Sequence, residues 1–335
     1  MEHDPPPPAL EPRFLPPVGW RWHVFTNPQG RKIRFGTVAP ESRIPDAVVI
    51  VAPGLSEFGE KYFELAQDLL QRNLSLWVMD WQGQGLSDRH LKNAPHKRHS
   101  SGFEDDVEDF HYFIMEYVKH SAVHPDVGRI PLVLLGHSMG GHIGLRYLQT
   151  HPGTFACAAF SAPMMGIRDV RMVPAALRPL IMGLLNEAMS TSYVFGGGDW
   201  KESARDKPGQ NVFSSDPVRD AVHNAWSLHD PRLQVGSPTF RWLHEAVKSC
   251  GFMNRADILK GIQTPILMAL AGKDTIVDNN AIRRAARLIP HATLLELSDA
   301  RHEILMEADP IRNRFLAAFE ELLARASVRG QVKPF

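Results

Sequence analysis

Gly136-His137-Ser138-Met139-Gly140 is the stretch of this chain whose residue types and spacing point most directly to chemistry. A serine hydroxyl is a weak nucleophile at neutral pH. It needs a base to take its proton and a third group to orient that base. Glycines two residues either side of the serine suit a tight, strained turn that neighbouring backbone can approach closely. The apolar run 131–135 just before it reads as a buried strand, and 139–150 reads as a helix. A serine on such a strand–turn–helix corner stands above the sheet edge, at a helix N-terminus that favours developing negative charge.

In this arrangement the acid and then the histidine follow the serine along the chain. The strand-like run 266–270 leads into Ala271-Gly272-Lys273-Asp274, and the run 293–297 leads into Ser298-Asp299-Ala300-Arg301-His302. Loops just past the C-terminal ends of strands are where ligands gather in open α/β sheets. The expected triad is therefore Ser138 as nucleophile, His302 as general base and then acid, and Asp274 as orienter of the imidazole. Asp278 and Asp299 are competing acids. Asp278 lies nearer the next helix and suits its N-cap, and Asp299 suits a turn. His291 precedes its strand, at the wrong end of the sheet. The oxyanion of a tetrahedral intermediate needs two backbone donors. One is expected from Met139, after the nucleophile, and the other from Leu55, on the loop Ala52-Pro53-Gly54-Leu55 after the strand 47–51.

These loops must be held by strands alternating with helices. Strand-like runs fall at 47–51, 74–79, 131–135, 157–160, 266–270 and 293–297, with helical stretches near 61–72, 103–119, 139–150, 279–288 and 311–325. That alternation predicts an α/β fold with a mostly parallel sheet and helices on both faces. Residues 20–26 and 31–38 read as a hairpin about Asn27-Pro28-Gln29-Gly30. The rhythm breaks at 163–261, which is too long for a bare loop. It is expected to be an inserted, largely helical cap. The predicted organisation is a proline-rich arm at 1–18, disordered or extended, a catalytic domain at 19–162 and 262–328, the cap, and a tail at 329–335. Leu177, Leu180, Ile181, Leu184 and Leu185 are spaced as one face of a cap helix. With Met182 and Met189, that face suits burial against the catalytic domain; it could also cover acyl chains or touch a bilayer. Arg168, Arg171 and Arg178 could meet phosphate head groups or stay solvated.

The chain resembles α/β-hydrolases of the bacterial lysophospholipase and monoacylglycerol lipase branch. The resemblance runs from about 20 to 325 and rests on Pro53-Gly54-Leu55-Ser56-Glu57 through Tyr62, Asp80-Trp81-Gln82-Gly83-Gln84-Gly85-Leu86-Ser87, and Ser161-Ala162-Pro163-Met164. Gly236-Ser237-Pro238-Thr239 with Trp242, Val277-Asp278-Asn279 and His302-Glu303-Ile304-Leu305 add to it. It implies the same triad and donors, and hydrolysis of a carboxylic ester in a single-chain lipid, a lysophospholipid first and a monoacylglycerol second. Two positions depart from the pattern: Pro53 stands where the monoglyceride lipases usually have histidine, and Gln82 where arginine is common.

Lys plus Arg and Asp plus Glu are both 37, so no positive excess marks a nucleic-acid binder. The 2 cysteines exclude a disulfide scaffold and fit a reducing, cytoplasmic compartment. No signal segment or membrane span is expected, which leaves peripheral contact at the inner face of the membrane, through the cap, as the one membrane option. No cofactor, metal or protein partner is implied. His90, His96 and His99 lack carboxylate or cysteine company at a metal-binding spacing, and Lys97 and Arg98 between them predict a solvated basic loop. His142 is expected to pack beneath the serine turn, and Gly196-Gly197-Gly198 to be a turn. A proline iminopeptidase-like enzyme would need acids in the cap for a free amine; Glu187, Asp199, Glu202 and Asp206 are scattered. A general carboxylesterase is the nearer alternative, and a non-enzymatic binding protein the most remote.

Overall fold

The computed structural model describes residues 8–174, 177–205 and 211–328. Among them, eight strands form one sheet. They are β1 (Arg21–Thr26), β2 (Lys32–Val38), β3 (Ala47–Ala52), β4 (Leu74–Met79), β5 (Leu132–His137), β6 (Cys157–Ser161), β7 (Ile266–Ala271) and β8 (Ala292–Leu297). The order across the sheet is β1-β2-β4-β3-β5-β6-β7-β8. The hairpin β1–β2 joins β4 antiparallel, and every later neighbour is parallel. The central strands β3, β5, β6 and β7 are buried at every residue, as their unbroken apolar runs require of strands covered on both faces. β8, at the edge, is half exposed.

The helices that cover the sheet are α1 (Phe63–Gln71), α2 (Phe103–Phe113), α3 (Ser138–Thr150), α8 (Asn279–Leu288) and α9 (Asp309–Arg325). α1 and α9 share one face, tied by ion pairs from Arg72 to Glu320 and from Arg312 to Asp68. α2, α3 and α8 cover the other. Asp278 N-caps α8, its carboxylate accepting the Asn280 N–H at 3.0 Å, which is the capping role its position predicts.

Between β6 and β7 lie α4 (Arg178–Met189), α5 (Pro217–His229), α6 (Phe240–Met253) and α7 (Ala256–Gly261). α4 packs on α6. The two ends of this segment differ. Trp242, Ala246, Cys250 and Met253 of α6 belong to the same hydrophobic core as the sheet, whereas α4 keeps Leu177, just before it, Leu180 and Leu184 exposed. The expected single buried stripe is thus divided: Ile181, Met182 and Leu185 face a cavity, and the other three face outward.

The arm at 1–18 is neither disordered nor merely extended where it is described. Pro12–Phe14 forms a 3-10 turn, and Phe14, 1% exposed, sits in a second core cluster with Phe58, Phe63, Val222, Trp226, Leu233 and Met306. The prolines masked the apolar anchors Leu10, Phe14 and Leu15 between them, which join α1 to α5. Residues 1–7, the tail 329–335, and Asp206 and Pro208 lie outside the described residues.

Candidate active site

The fold brings Ser138, His302 and Asp274 together from three loops at the C-terminal ends of β5, β8 and β7. Ser138 opens α3 with φ at 49°, a conformation that only a strongly over-determined turn imposes on a non-glycine residue. Packing supplies that determination. A side chain at Gly140 would stand 2.0 Å from the Ala52 carbonyl oxygen, and one at Gly136 would stand 2.8 Å from the Gly141 Cα. The two glycines of the motif are therefore needed for close backbone approach. His302 Nε2 lies 2.9 Å from Ser138 Oγ, and His302 Nδ1 lies 2.7 Å from Asp274 Oδ2.

All three side chains are buried. Asp274 Oδ1 accepts the N–H groups of Ile276 and Val277 at 2.8 and 3.1 Å. Burial alone would raise the Asp274 carboxyl, but the adjacent His302 imidazole and these donors hold it below the usual range. Asp299 is instead at the surface, paired with Lys273 at 3.1 Å. His142 is buried beneath the serine turn, with Nε2 2.6 Å from Ser249 Oγ.

Leu55 lies on the wall of the same cavity as Ser138, and Met139 is buried at the second position of α3. The loop carrying Leu55 is clamped on both sides. Glu57 Oε2 accepts the Gly54 N–H at 2.5 Å. Gln84 Nε2 donates to the Gly54 and Glu57 carbonyls, each at 2.7 Å, and Gln84 Oε1 accepts the Ser56 N–H at 3.1 Å.

A chain of buried charges runs away from that clamp. Lys61 Nζ is 2.7 Å from both Glu57 Oε1 and Glu303 Oε1, and Tyr62 donates its hydroxyl to Glu57 at 2.6 Å. Arg205 then pairs with Glu303 and, at 3.0 Å, with Asp220 on α5. Burial would raise the Glu303 carboxyl, but Arg205 and Lys61 hold it well below the ordinary carboxylate range. His137, beside His302 at 4.9 Å between ring centres, is pushed down to about 4 by burial, so it is neutral at pH 7.

Sequence reasoning missed this chain, along with Gln84 and Arg98. The one local signal was Glu57 four residues before Lys61, the spacing of a helical ion pair. Arg98 overturns the expected solvated basic loop. It is 0% exposed, and its loop is held by backbone hydrogen bonds to Gly236–Thr239, among them Thr239 N–H to the Arg98 carbonyl at 2.9 Å. Among the described residues, no group of three or more His, Cys, Asp and Glu side chains is placed to hold a metal ion.

Ser138, His302 and Leu55 line a cavity of about 740 Å³ whose roof includes Ile181, Met182 and Leu185. This size is typical of small-molecule sites. A hydroxyl hydrogen-bonded to an oriented imidazole, at the floor of an apolar cavity and beside a helix N-terminus, can form and resolve an acyl-enzyme.

Fold and site together define an α/β-hydrolase. Residues 43–309 match the family described as serine aminopeptidase, S33 (Hydrolase_4), and the chain belongs to that family. It is similar to lysophospholipase L2 of Escherichia coli strain K12, 30% identical over 312 residues, which are 90% of this chain and 86% of that one. Human monoglyceride lipase is 27% identical over 180 residues, 52% of each chain. A solved structure of a soluble variant of monoglyceride lipase from Saccharomyces cerevisiae, in complex with a substrate analog, shares the fold with a TM-score of 0.70 at 19% identity, covering 91% of this chain and 94% of that one. The chain is an enzyme, a serine ester hydrolase.

Proposed function

We propose that this enzyme hydrolyses the carboxylic ester of a single-chain lipid, a lysophospholipid in preference to a monoacylglycerol. The observation that carries the reading is the hydrogen-bonded chain Ser138–His302–Asp274 at the floor of an apolar cavity. Ser138 Oγ attacks the ester carbonyl while His302 Nε2 takes its proton. The oxyanion is held by the N–H groups of Leu55 and Met139. The C–O bond to the alcohol then breaks, and His302 returns the proton to that leaving oxygen. Water, deprotonated by His302, releases the fatty acid and restores Ser138.

Residues 163–261 act in this reading as the cap, with α4 and α5 over the cavity and α6 rooted in the core. The preference for a lysophospholipid rests on the similarity to lysophospholipase L2 along most of both chains. The aminopeptidase in the family's description is the less favoured chemistry. Of the acids in 163–261, Asp169 and Asp199 line the cavity without forming a cluster with other free carboxylates, while Glu187 and Glu202 do not line it. Cavity acids Glu57 and Glu303 are already neutralised by Lys61 and Arg205.

We further assign the outer face of the cap to peripheral contact with a membrane. Leu177, Leu180 and Leu184 are 47%, 61% and 58% exposed along one side of α4, an apolar row that suits a lipid surface. Among the described residues no helix is long and apolar enough to cross a membrane. The two free, buried cysteines fit a cytoplasmic location at the inner face.

The test is a panel of lysophosphatidylcholine, monoacylglycerol, acetyl esters and aminoacyl amides, with wild type and Ser138→Ala. Turnover of the long-chain lipids, lost in Ser138→Ala, is expected. Preference for acetyl esters or aminoacyl amides would overturn the lipid assignment, and full activity in Ser138→Ala would overturn the site.

A further inference from the structure

Arg98 is a charge buried without a counter-charge. Its side chain is fully enclosed, and among the described residues it forms no salt bridge. It donates from Nε to Gln84 Oε1 at 3.1 Å, from Nη1 to the His99 carbonyl, and from Nη2 towards Met139 Sδ at 3.8 Å. The carboxyl that acts on it at longer range, Asp106, is itself pushed up to about 7 by burial, so it is only partly ionised at neutral pH. Burying a guanidinium in this way is expensive, and such a group is retained where something else compensates it.

The position of Gln84 shows what that could be. Its oxygen accepts from Arg98, and its nitrogen donates to the Gly54 carbonyl at 2.7 Å. That carbonyl and the Leu55 N–H are the two ends of one peptide group. A cation hydrogen-bonded to the Gln84 oxygen polarises the amide and strengthens its Nε2 donor. That donor in turn polarises the Gly54–Leu55 peptide and strengthens the Leu55 N–H. On its other side the guanidinium lies against the side chain of Met139. The positive end of the relay therefore points where an oxyanion would form, and that anion would supply the missing counter-charge in a low-dielectric setting.

We propose that Arg98 is a positioning and polarising residue of the oxyanion hole, acting through Gln84 on the peptide that carries the Leu55 N–H. The proposal rests on the reading of Ser138 as nucleophile and Leu55 as oxyanion donor. Arg98 touches no substrate. Its contribution appears only as negative charge develops, so it belongs in kcat rather than in KM.

The experiment is steady-state kinetics on a medium-chain p-nitrophenyl ester with Arg98→Met, Arg98→Lys, Gln84→Met and the Arg98→Met/Gln84→Met double variant, each checked by thermal melting. Arg98→Met and Gln84→Met should each lower kcat by about 10- to 100-fold, with KM within about threefold. The double variant should be no more than about threefold slower than the slower single one, because both break one relay. Arg98→Lys, which keeps the charge, should fall between wild type and Arg98→Met. An Arg98→Met enzyme within threefold of wild type, or a double variant whose loss is the product of the single losses, overturns the proposal. Should Arg98→Met not fold, Gln84→Glu decides. It leaves the guanidinium an acceptor but takes the donor from the Gly54 carbonyl. A tenfold fall in kcat with native-like melting supports the relay, and an unchanged kcat overturns it. Ser138→Ala is run alongside: turnover surviving there would refute the underlying reading, whatever Arg98 does.

Discussion

Replacing Asp274 by asparagine tests how the base is oriented, and the structure decides which way the new amide must turn. Asp274 Oδ1 accepts two backbone N–H groups, from Ile276 at 2.8 Å and Val277 at 3.1 Å, while Oδ2 faces His302 Nδ1 at 2.7 Å. An asparagine here has to keep its oxygen on the two N–H donors, because turning its NH₂ towards them would set donor against donor. The NH₂ therefore meets Nδ1. The imidazole answers by carrying its proton on Nε2, where it donates to Ser138 Oγ and can no longer accept from it. All of the local hydrogen bonds survive, so melting should move by no more than about 4 °C. The general base, however, is lost. The expected fall in kcat is about 10⁴-fold, the size seen when the orienting carboxylate of a serine–histidine–aspartate site becomes an amide. That equals about 5.5 kcal/mol of transition-state stabilisation. Asp274→Ala imposes no donor on Nδ1 and leaves both tautomers open, so it should retain more activity than Asp274→Asn. The assay is kcat on a medium-chain p-nitrophenyl ester, with folded enzyme counted by absorbance and circular dichroism. A folded Asp274→Asn enzyme within tenfold of wild type, or one faster than Asp274→Ala, would refute the reasoning.

Two predictions concern stability. Phe14→Ala should destabilise the protein by about 3–5 kcal/mol in urea unfolding, because the ring is buried between Phe58, Phe63 and Trp226; a loss below about 1 kcal/mol would mean that the arm contributes little to the fold. His142 is held down at about 3 by burial and the nearby Arg146, so its neutral form stabilises the fold above the unfolded value of about 6.5, and that stability drains away as pH falls towards 3. At pH 5 the loss is about 2 kcal/mol. His142→Gln cannot ionise, so its stability should fall by about that much less between pH 7.5 and 5, and equal falls in the two proteins would contradict the assignment.

The juxtaposition of Ser138, His302 and Asp274 was legible in the sequence because each part of it is local. Gly136 to Gly140 states the turn, the apolar run before it states the strand, and Asp274 and His302 each follow a strand by a few residues. Such features depend on backbone sterics and periodicity, which neighbouring residues report. The packing of the arm at 8–18 was not legible for a related reason. A run of prolines is a strong local signal of extended chain, whereas the burial of Phe14 depends on an apolar gap between α1 and α5, elements that are distant in the sequence.

The buried charges were hidden by the same logic taken further. Arg205 meets Glu303 across 98 residues and Arg219 meets Glu64 across 155, so nothing beside either arginine announces its partner. Read singly, a charged residue in a polar loop belongs in water, and Arg98 between His96 and His99 fits that description well. It is buried because the backbone of Gly236–Thr239 closes over its loop while Gln84 takes its Nε–H. Both Gln84 and Glu57 spend their remaining hydrogen bonds on the backbone around Leu55. Two buried polar systems, reaching Leu55 from opposite sides, fix a backbone N–H that has no side-chain signature of its own. A backbone donor is held in position only by the residues that clamp it, so, on the proposed reading of Leu55 as oxyanion donor, mutational effects on kcat should concentrate at Glu57, Gln84 and their partners rather than at Leu55.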